Sequence, residues 1–94
     1  MEIIYKLIQD RDWTEQEGKY KLYEEVEEFR DALYSNNKAD ILEEGFDVIQ
    51  SVISLIDMKG FTIDEIYEGL KLHNEKLENR GWDRTAIFEV KEVR

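Results

Sequence analysis

Two pairs of acidic residues, each with members three positions apart, stand out in the first half of the chain. They are Glu25 with Glu28, and Glu44 with Asp47. The segments around them align at an offset of 19 residues, so that residues 23–29 match residues 42–48. Residues i and i+3 are neighbours on a helix surface, so each pair presents two carboxylates on one face. Carboxylates held together repel unless they are protonated or bridged by a cation.

Oxygen-only ligands of this kind select hard cations, which are Mg²⁺, Mn²⁺ or Ca²⁺. Mg²⁺ is the ion we expect, with Mn²⁺ as a substitute. A plainer interpretation exists for either pair alone. With 23 Asp and Glu residues in the chain, most such pairs are solvated helix faces. The match between the two pairs favours a metal site with all four residues, Glu25, Glu28, Glu44 and Asp47, as ligands.

Two helices are predicted to position these carboxylates. Thr14 and Glu17 fit a capping box that opens a helix running to about Leu33 or Tyr34. Ser35-Asn36-Asn37 interrupt this helix, and a break of five or six residues around them is expected before a second helix over about 38–59. A short break implies antiparallel neighbours, and packing stripe to stripe then brings both acidic flanks to the same side. The predicted stripe of the first helix comprises Leu22, Val26, Phe29 and Leu33.

Two further segments are also predicted to be helical. Thr62 and Glu65 make a second capping box, opening a helix to about Asn79 that Gly81 ends. Residues 2–10 have helical apolar spacing. The expected fold is therefore an all-α, antiparallel helical bundle in a single domain 1–94, with a helical core over about 3–80. The tail over 82–94 is predicted to be irregular or a short strand, because its apolar residues partly alternate with charged ones.

The last helix carries groups that suit a phosphorylated ligand. Lys76 and Arg80 lie four residues apart, where they can hold phosphate oxygens or simply favour the helix dipole. His73 and Asn79 lie nearby, as possible substrate contacts or ordinary surface residues. Trp13, like Trp82, can stack on a base or pack against the protein.

Composition narrows the partners. The net charge of −10 argues against nucleic-acid binding, which normally rests on Lys and Arg. No cysteines are present, and the first ten residues are too short and too charged for a signal peptide or membrane span. We therefore expect a cytoplasmic protein without membrane partners. The broad apolar stripes exceed what one small core needs, which predicts a homo-oligomer, a dimer or a tetramer.

At this point the residues resemble a known family. Glu25/Glu28, followed after 15 residues by Glu44/Asp47, resembles the paired acidic motifs of the MazG-type all-α nucleotide pyrophosphohydrolases. The run over 73–81 resembles that family's Lys- and Arg-containing helix end. The position of Trp13 ahead of the first acidic helix fits the family as well. The resemblance covers roughly residues 3–81.

The resemblance implies a function. Such enzymes use Mg²⁺ to hydrolyse a nucleoside triphosphate to the monophosphate and pyrophosphate, often to remove non-standard nucleotides. It implies the four metal ligands already named, phosphate contacts from Lys76 and Arg80, and Glu24 and Glu43 as groups that orient water or support a ligand. The alternatives are a non-catalytic helical module that binds metal, nucleotide or protein, and an oligomer whose acidic pairs only solubilise it.

Overall fold

The computed structural model describes residues 13–83, which form three α-helices. They are α1 (Glu15–Ser35), α2 (Lys38–Met58) and α3 (Ile63–Asn79). No strand occurs within this range, so the all-α prediction is confirmed. The predicted helical segment 2–10 and most of the strand-like tail lie outside the described residues. Among residues 13–83, none of the helices combines the length and apolarity needed to cross a membrane.

Both predicted capping boxes are present. The Thr14 hydroxyl accepts from the Glu17 backbone N–H at 3.1 Å, and the Glu17 carboxylate accepts from the Thr14 backbone N–H. Thr62 and Glu65 repeat this arrangement at the start of α3. Each box satisfies N–H groups that the first helical turn leaves without partners, which is why these two helices begin where the sequence indicates.

The link between α1 and α2 is shorter than predicted, because it comprises two residues rather than five or six. Asn36 ends α1 in the left-handed conformation, with φ of 58°. Asn37 opens α2, and its side-chain oxygen accepts from the Asp40 backbone N–H at 3.2 Å. Asparagine tolerates the left-handed region and caps helices well, so two residues suffice to reverse the chain.

The two helices form an antiparallel hairpin. At the open end, Lys59 donates to the Glu15 carboxylate at 2.6 Å, which joins the end of α2 to the start of α1. Nearer the turn, the Phe29 ring lies against Gly45, where an added Cβ would come within 3.3 Å of it. The absence of a side chain at Gly45 therefore permits close approach of the helices at this level.

The packed seam of α1 differs from the predicted stripe. Val26 and Leu33 are about half exposed, whereas Glu25 and Ala32 are the buried residues of this helix. Leu22 and Phe29, which are part-buried, belong to both patterns. The seam thus passes through Glu25 rather than Val26, and this acid lies within the packed face instead of on its flank.

The chain divides into two compact units, and the division falls after Lys59. Residues 13–59 form the hairpin, while residues 60–83 contain α3. Gly60 and Gly81 follow the ends of α2 and α3 with φ of 77° and 87°, as expected for the left-handed residue that stops a helix. The single domain over 1–94 stays a prediction.

Candidate metal centre

Three of the predicted ligands converge beside the hairpin seam. Glu25 and Glu28 project from successive turns of α1, and Glu44 projects from α2. One carboxylate oxygen from each lies within 4.8 Å of the other two. The contact of Phe29 with Gly45, the residue after Glu44, fixes the register of the helices and so brings Glu44 to the acidic pair of α1.

Two oxygens of this cluster are buried and lack a hydrogen-bond partner among the described residues. They are Oε2 of Glu25 and Oε2 of Glu44. Glu25 is only 4% exposed, so water cannot readily serve its second oxygen. A buried carboxylate oxygen without a partner costs free energy, and a bound cation would remove that cost. The donor set therefore fits a hard divalent ion such as Mg²⁺ or Mn²⁺.

The electrostatics of the cluster also favour a bound cation. Partial burial, the negative charge of Glu25 and a hydrogen bond with Glu44 together raise the pKa of Glu28 to about 7. A carboxyl group ordinarily ionises near 4.5. Near neutral pH, a proton therefore partly takes the place that a cation would fill between Glu28 and its neighbours.

Lys21 is a site residue that sequence reasoning missed. Its Nζ donates to Oε1 of Glu25 at 2.7 Å and lies 3.9 Å from an oxygen of Glu24. The hydrogen bond to Glu25 raises the pKa of Lys21. The signal was available, because Lys and Glu four residues apart on a helix commonly pair. That pairing usually has little effect at a surface, and only the burial of Glu25 makes it notable here.

The fourth predicted ligand is not part of the group. Asp47 is exposed, one turn beyond Glu44 on α2, and the cluster that the structure brings together contains Glu25, Glu28 and Glu44. Glu24 and Glu43 are also exposed and adjoin cluster residues in sequence. The roles assigned to Asp47, Glu24 and Glu43 stay predictions.

The remaining predicted contacts lie elsewhere in the chain. Trp13 is half-buried just before α1, and the ten residues from the start of α1 to Glu25 span about 15 Å. Trp13 is therefore separated from the acidic cluster along α1, and its role as a substrate contact stays a prediction. The predicted phosphate and substrate contacts of the second unit are all exposed near the end of α3 or just after it, and their roles stay predictions. These are His73, Lys76, Asn79 and Arg80.

Comparison with known proteins adds the chemistry that geometry leaves open. No family model matches the chain, and no solved structure matches it significantly. A curated protein of Clostridium acetobutylicum, named phosphoribosyl-ATP pyrophosphatase, is 30% identical over 101 aligned positions. The alignment covers 93% of this chain and 92% of that relative. The chain therefore belongs to the MazG-like all-α nucleotide pyrophosphohydrolase family of enzymes.

Proposed function

We propose that this protein hydrolyses a nucleoside triphosphate between the α and β phosphates, with Mg²⁺ as cofactor and Mn²⁺ as a substitute. The products would be the monophosphate and pyrophosphate. The observation that carries the proposal is the convergence of Glu25, Glu28 and Glu44, two of which have a buried, unpartnered oxygen. The relationship to a nucleotide pyrophosphatase supplies the reaction class.

The chemistry assigns distinct roles to the chain's own residues. The three clustered carboxylates, joined by Asp47 after a change of rotamer, would hold the ion. A bound divalent ion neutralises phosphate charge and makes water more acidic. Water adds to one phosphorus, the bridging oxygen leaves with the other phosphate, and the proton passes to Glu24 or Glu43. Lys76 and Arg80 would hold the phosphate oxygens by charge-assisted hydrogen bonds.

The substrate class follows from the same relationship. The name of the Clostridium relative describes action on phosphoribosyl-ATP, a nucleotide with an additional phosphoribosyl group. We infer that this protein accepts a nucleotide modified beyond the standard set, which includes phosphoribosyl-ATP and non-standard nucleotides that a cell must remove. A cytoplasmic location, where such substrates occur, is part of the proposal.

The test is a screen for pyrophosphate release from standard, modified and phosphoribosylated nucleotides with Mg²⁺ or Mn²⁺. Glu44→Gln keeps the shape of the side chain but removes its charge. We expect this substitution to lower activity at least about 100-fold. Even the mutation of residues that only support metal ligands commonly lowers metal affinity or activity 10- to 100-fold. Glu27→Gln, at an exposed position outside the cluster, is the matched control and should retain activity.

Two results would argue against the proposal. Metal and nucleotide binding without turnover of any substrate would favour a non-catalytic binding module. A Glu44→Gln variant that is as active as the wild type would show that the cluster is not the reaction centre. Circular dichroism of both variants establishes that differences in activity do not arise from unfolding.

We also propose that the protein is a homo-oligomer, a dimer or a tetramer. An uncharged row of large side chains runs along α2, and each member is 37–61% exposed. Burial of such a row between two copies of the chain is favourable, whereas the acidic surfaces of the two copies repel each other. The row is therefore the face at which we expect the copies to associate. The row comprises Leu42, Phe46, Ile49, Val52 and Ile56.

A further inference from the structure

We propose that Lys21 makes the metal centre selective for Mg²⁺ over Ca²⁺ by holding one oxygen of Glu25. The lysine thereby limits Glu25 to a single oxygen for the ion. This inference rests on the proposed metal site and adds a positioning residue that the acidic motifs do not include. It concerns which ion the site accepts, and so it can be tested without measuring catalysis.

The geometry assigns different tasks to the two oxygens of Glu25. Oε1 accepts from Lys21 Nζ at 2.7 Å, one helical turn earlier, whereas Oε2 is buried and has no hydrogen-bond partner in the described part of the chain. The Glu25 side chain is only 6% exposed, so it is enclosed by its surroundings. A cation entering the cluster therefore meets one available oxygen of Glu25, with the other already bonded.

Coordination chemistry gives this arrangement a consequence. Ca²⁺ takes six to eight oxygens at about 2.3–2.6 Å and readily uses both oxygens of a carboxylate. Mg²⁺ requires nearly octahedral geometry at about 2.0–2.1 Å and usually keeps several waters, so it needs only one oxygen from each carboxylate. Because Lys21 withholds Oε1, a calcium ion loses a ligand that a magnesium ion does not need.

The positive charge of Lys21 also repels any cation nearby, but this effect does not discriminate between the two ions. Mg²⁺ and Ca²⁺ carry the same charge, so removal of the lysine charge changes both affinities in the same direction by similar amounts. The ratio of the two dissociation constants cancels this shared effect. It reports the number of oxygens that Glu25 offers, and a purely structural role of Lys21 would leave it unchanged.

The experiment is calorimetric titration of the full-length protein with MgCl₂ and with CaCl₂, for the wild type and Lys21→Met. We expect the ratio of dissociation constants to shift toward calcium by about tenfold or more in the variant. Lys19→Met is the matched control, because Lys19 is exposed to a similar extent as Lys21 and also pairs with a glutamate four residues away, the exposed Glu15, at 3.5 Å. Its ratio should equal that of the wild type.

A double-mutant cycle isolates the interaction. In a Glu25→Gln background there is no second carboxylate oxygen for Lys21 to withhold, so Lys21→Met should no longer change the ratio. Lys21→Gln provides a second neutral side chain should the methionine variant fail to fold by circular dichroism. An unchanged ratio in the folded single variant would overturn the inference, as would a folded variant that binds neither ion. A wild type that binds neither ion would remove the metal site itself, and the proposed function with it.

Discussion

Glu28 is the group in the cluster whose protonation is most closely tied to metal binding. Its pKa of about 7 reflects partial burial first, and then the charge of Glu25 and the hydrogen bond with Glu44. All three causes favour the neutral acid in the metal-free protein. A divalent ion reverses the preference, because it stabilises the carboxylate form of the same side chain. Protons and metal therefore compete at this residue.

This competition predicts how stability changes with pH. Because folding raises the pKa of Glu28, the folded state binds the proton more tightly than the unfolded chain does. The stabilisation is fully present below about pH 4.5 and is lost as pH rises through about 7. In EDTA, the melting temperature should therefore fall between pH 5 and 8 by more than it does for Glu28→Gln, which cannot titrate. Thermal denaturation with both proteins at each pH measures the difference.

Bound Mg²⁺ should restore the stability that the protein loses as pH rises. Saturating Mg²⁺ replaces the proton, so the wild-type melting temperature should rise on adding Mg²⁺ at pH 8 by more than it does at pH 5. The affinity for Mg²⁺ should weaken by up to about tenfold for each pH unit below 7, as expected for competition with one proton. A magnesium affinity that does not change between pH 5.5 and 7.5 would contradict this account of Glu28.

The acidic residues of the cluster could be named from sequence because their spacing places them on one helix face. The burial of Glu25 could not be predicted from the sequence. Hydrophobic patterning prefers Val26 to a glutamate in the seam, and Leu22 and Phe29 fit both choices. The seam instead passes through Glu25, beside the close approach at Gly45. The spacing of Lys21 and Glu25 indicates that they pair, but the importance of this pair could not be recognised, since it depends on that burial.

At the scale of the elements, the helices were predictable wherever a local motif defines an end. The two capping boxes, the asparagine turn and the two glycines that follow α2 and α3 place the ends of these three helices within one or two residues of those observed. The length of the turn was overestimated, because α1 continues through Ser35. The Ser35 hydroxyl donates to the Ala32 carbonyl at 2.7 Å, which accommodates a polar side chain in the last helical turn.

Two helical glycines should respond differently to substitution. At Gly45, an added Cβ would lie 3.3 Å from the Phe29 ring, whereas at Gly69 in α3 nothing in the described chain lies within 4 Å. Gly→Ala in an open helix position stabilises by about 0.5–1 kcal/mol. Gly69→Ala should therefore raise the free energy of unfolding by about this amount. Gly45→Ala should gain less or lose stability, because the aromatic ring must move.

Urea denaturation with circular dichroism measures both changes. Because Phe29 and Gly45 set the register that brings Glu44 to Glu25 and Glu28, Gly45→Ala should also weaken Mg²⁺ binding in calorimetry. Gly69→Ala is its control and should bind Mg²⁺ as the wild type does. Equal stabilisation by the two alanines, with unchanged magnesium affinity, would show that the close approach at Gly45 does not position the cluster.

For the whole molecule, family membership was predictable because the acidic pairs and their interval of 15 residues stand in the sequence. The choice of substrate was not, since base recognition depends on where side chains from separate parts of the chain meet. The oligomeric state could be predicted only in part. Helical spacing predicts broad apolar stripes, and in the structure Leu42 and Ile49 of α2, together with Phe46, are exposed. Which molecule covers this face of α2 depends on assembly, and helical spacing does not indicate it.

Assembly can be tested by placing a charge in the row on α2. Sedimentation equilibrium should show the wild type as a dimer or tetramer at micromolar concentration. Ile49→Glu puts a carboxylate at the centre of the row, where association would bury it without a partner, so the variant should sediment as a monomer. Tyr34→Glu, at a position that is 85% exposed outside the row, is the control and should assemble normally. A monomeric wild type, or an Ile49→Glu variant that assembles as well as Tyr34→Glu, would show that a second copy does not cover this face.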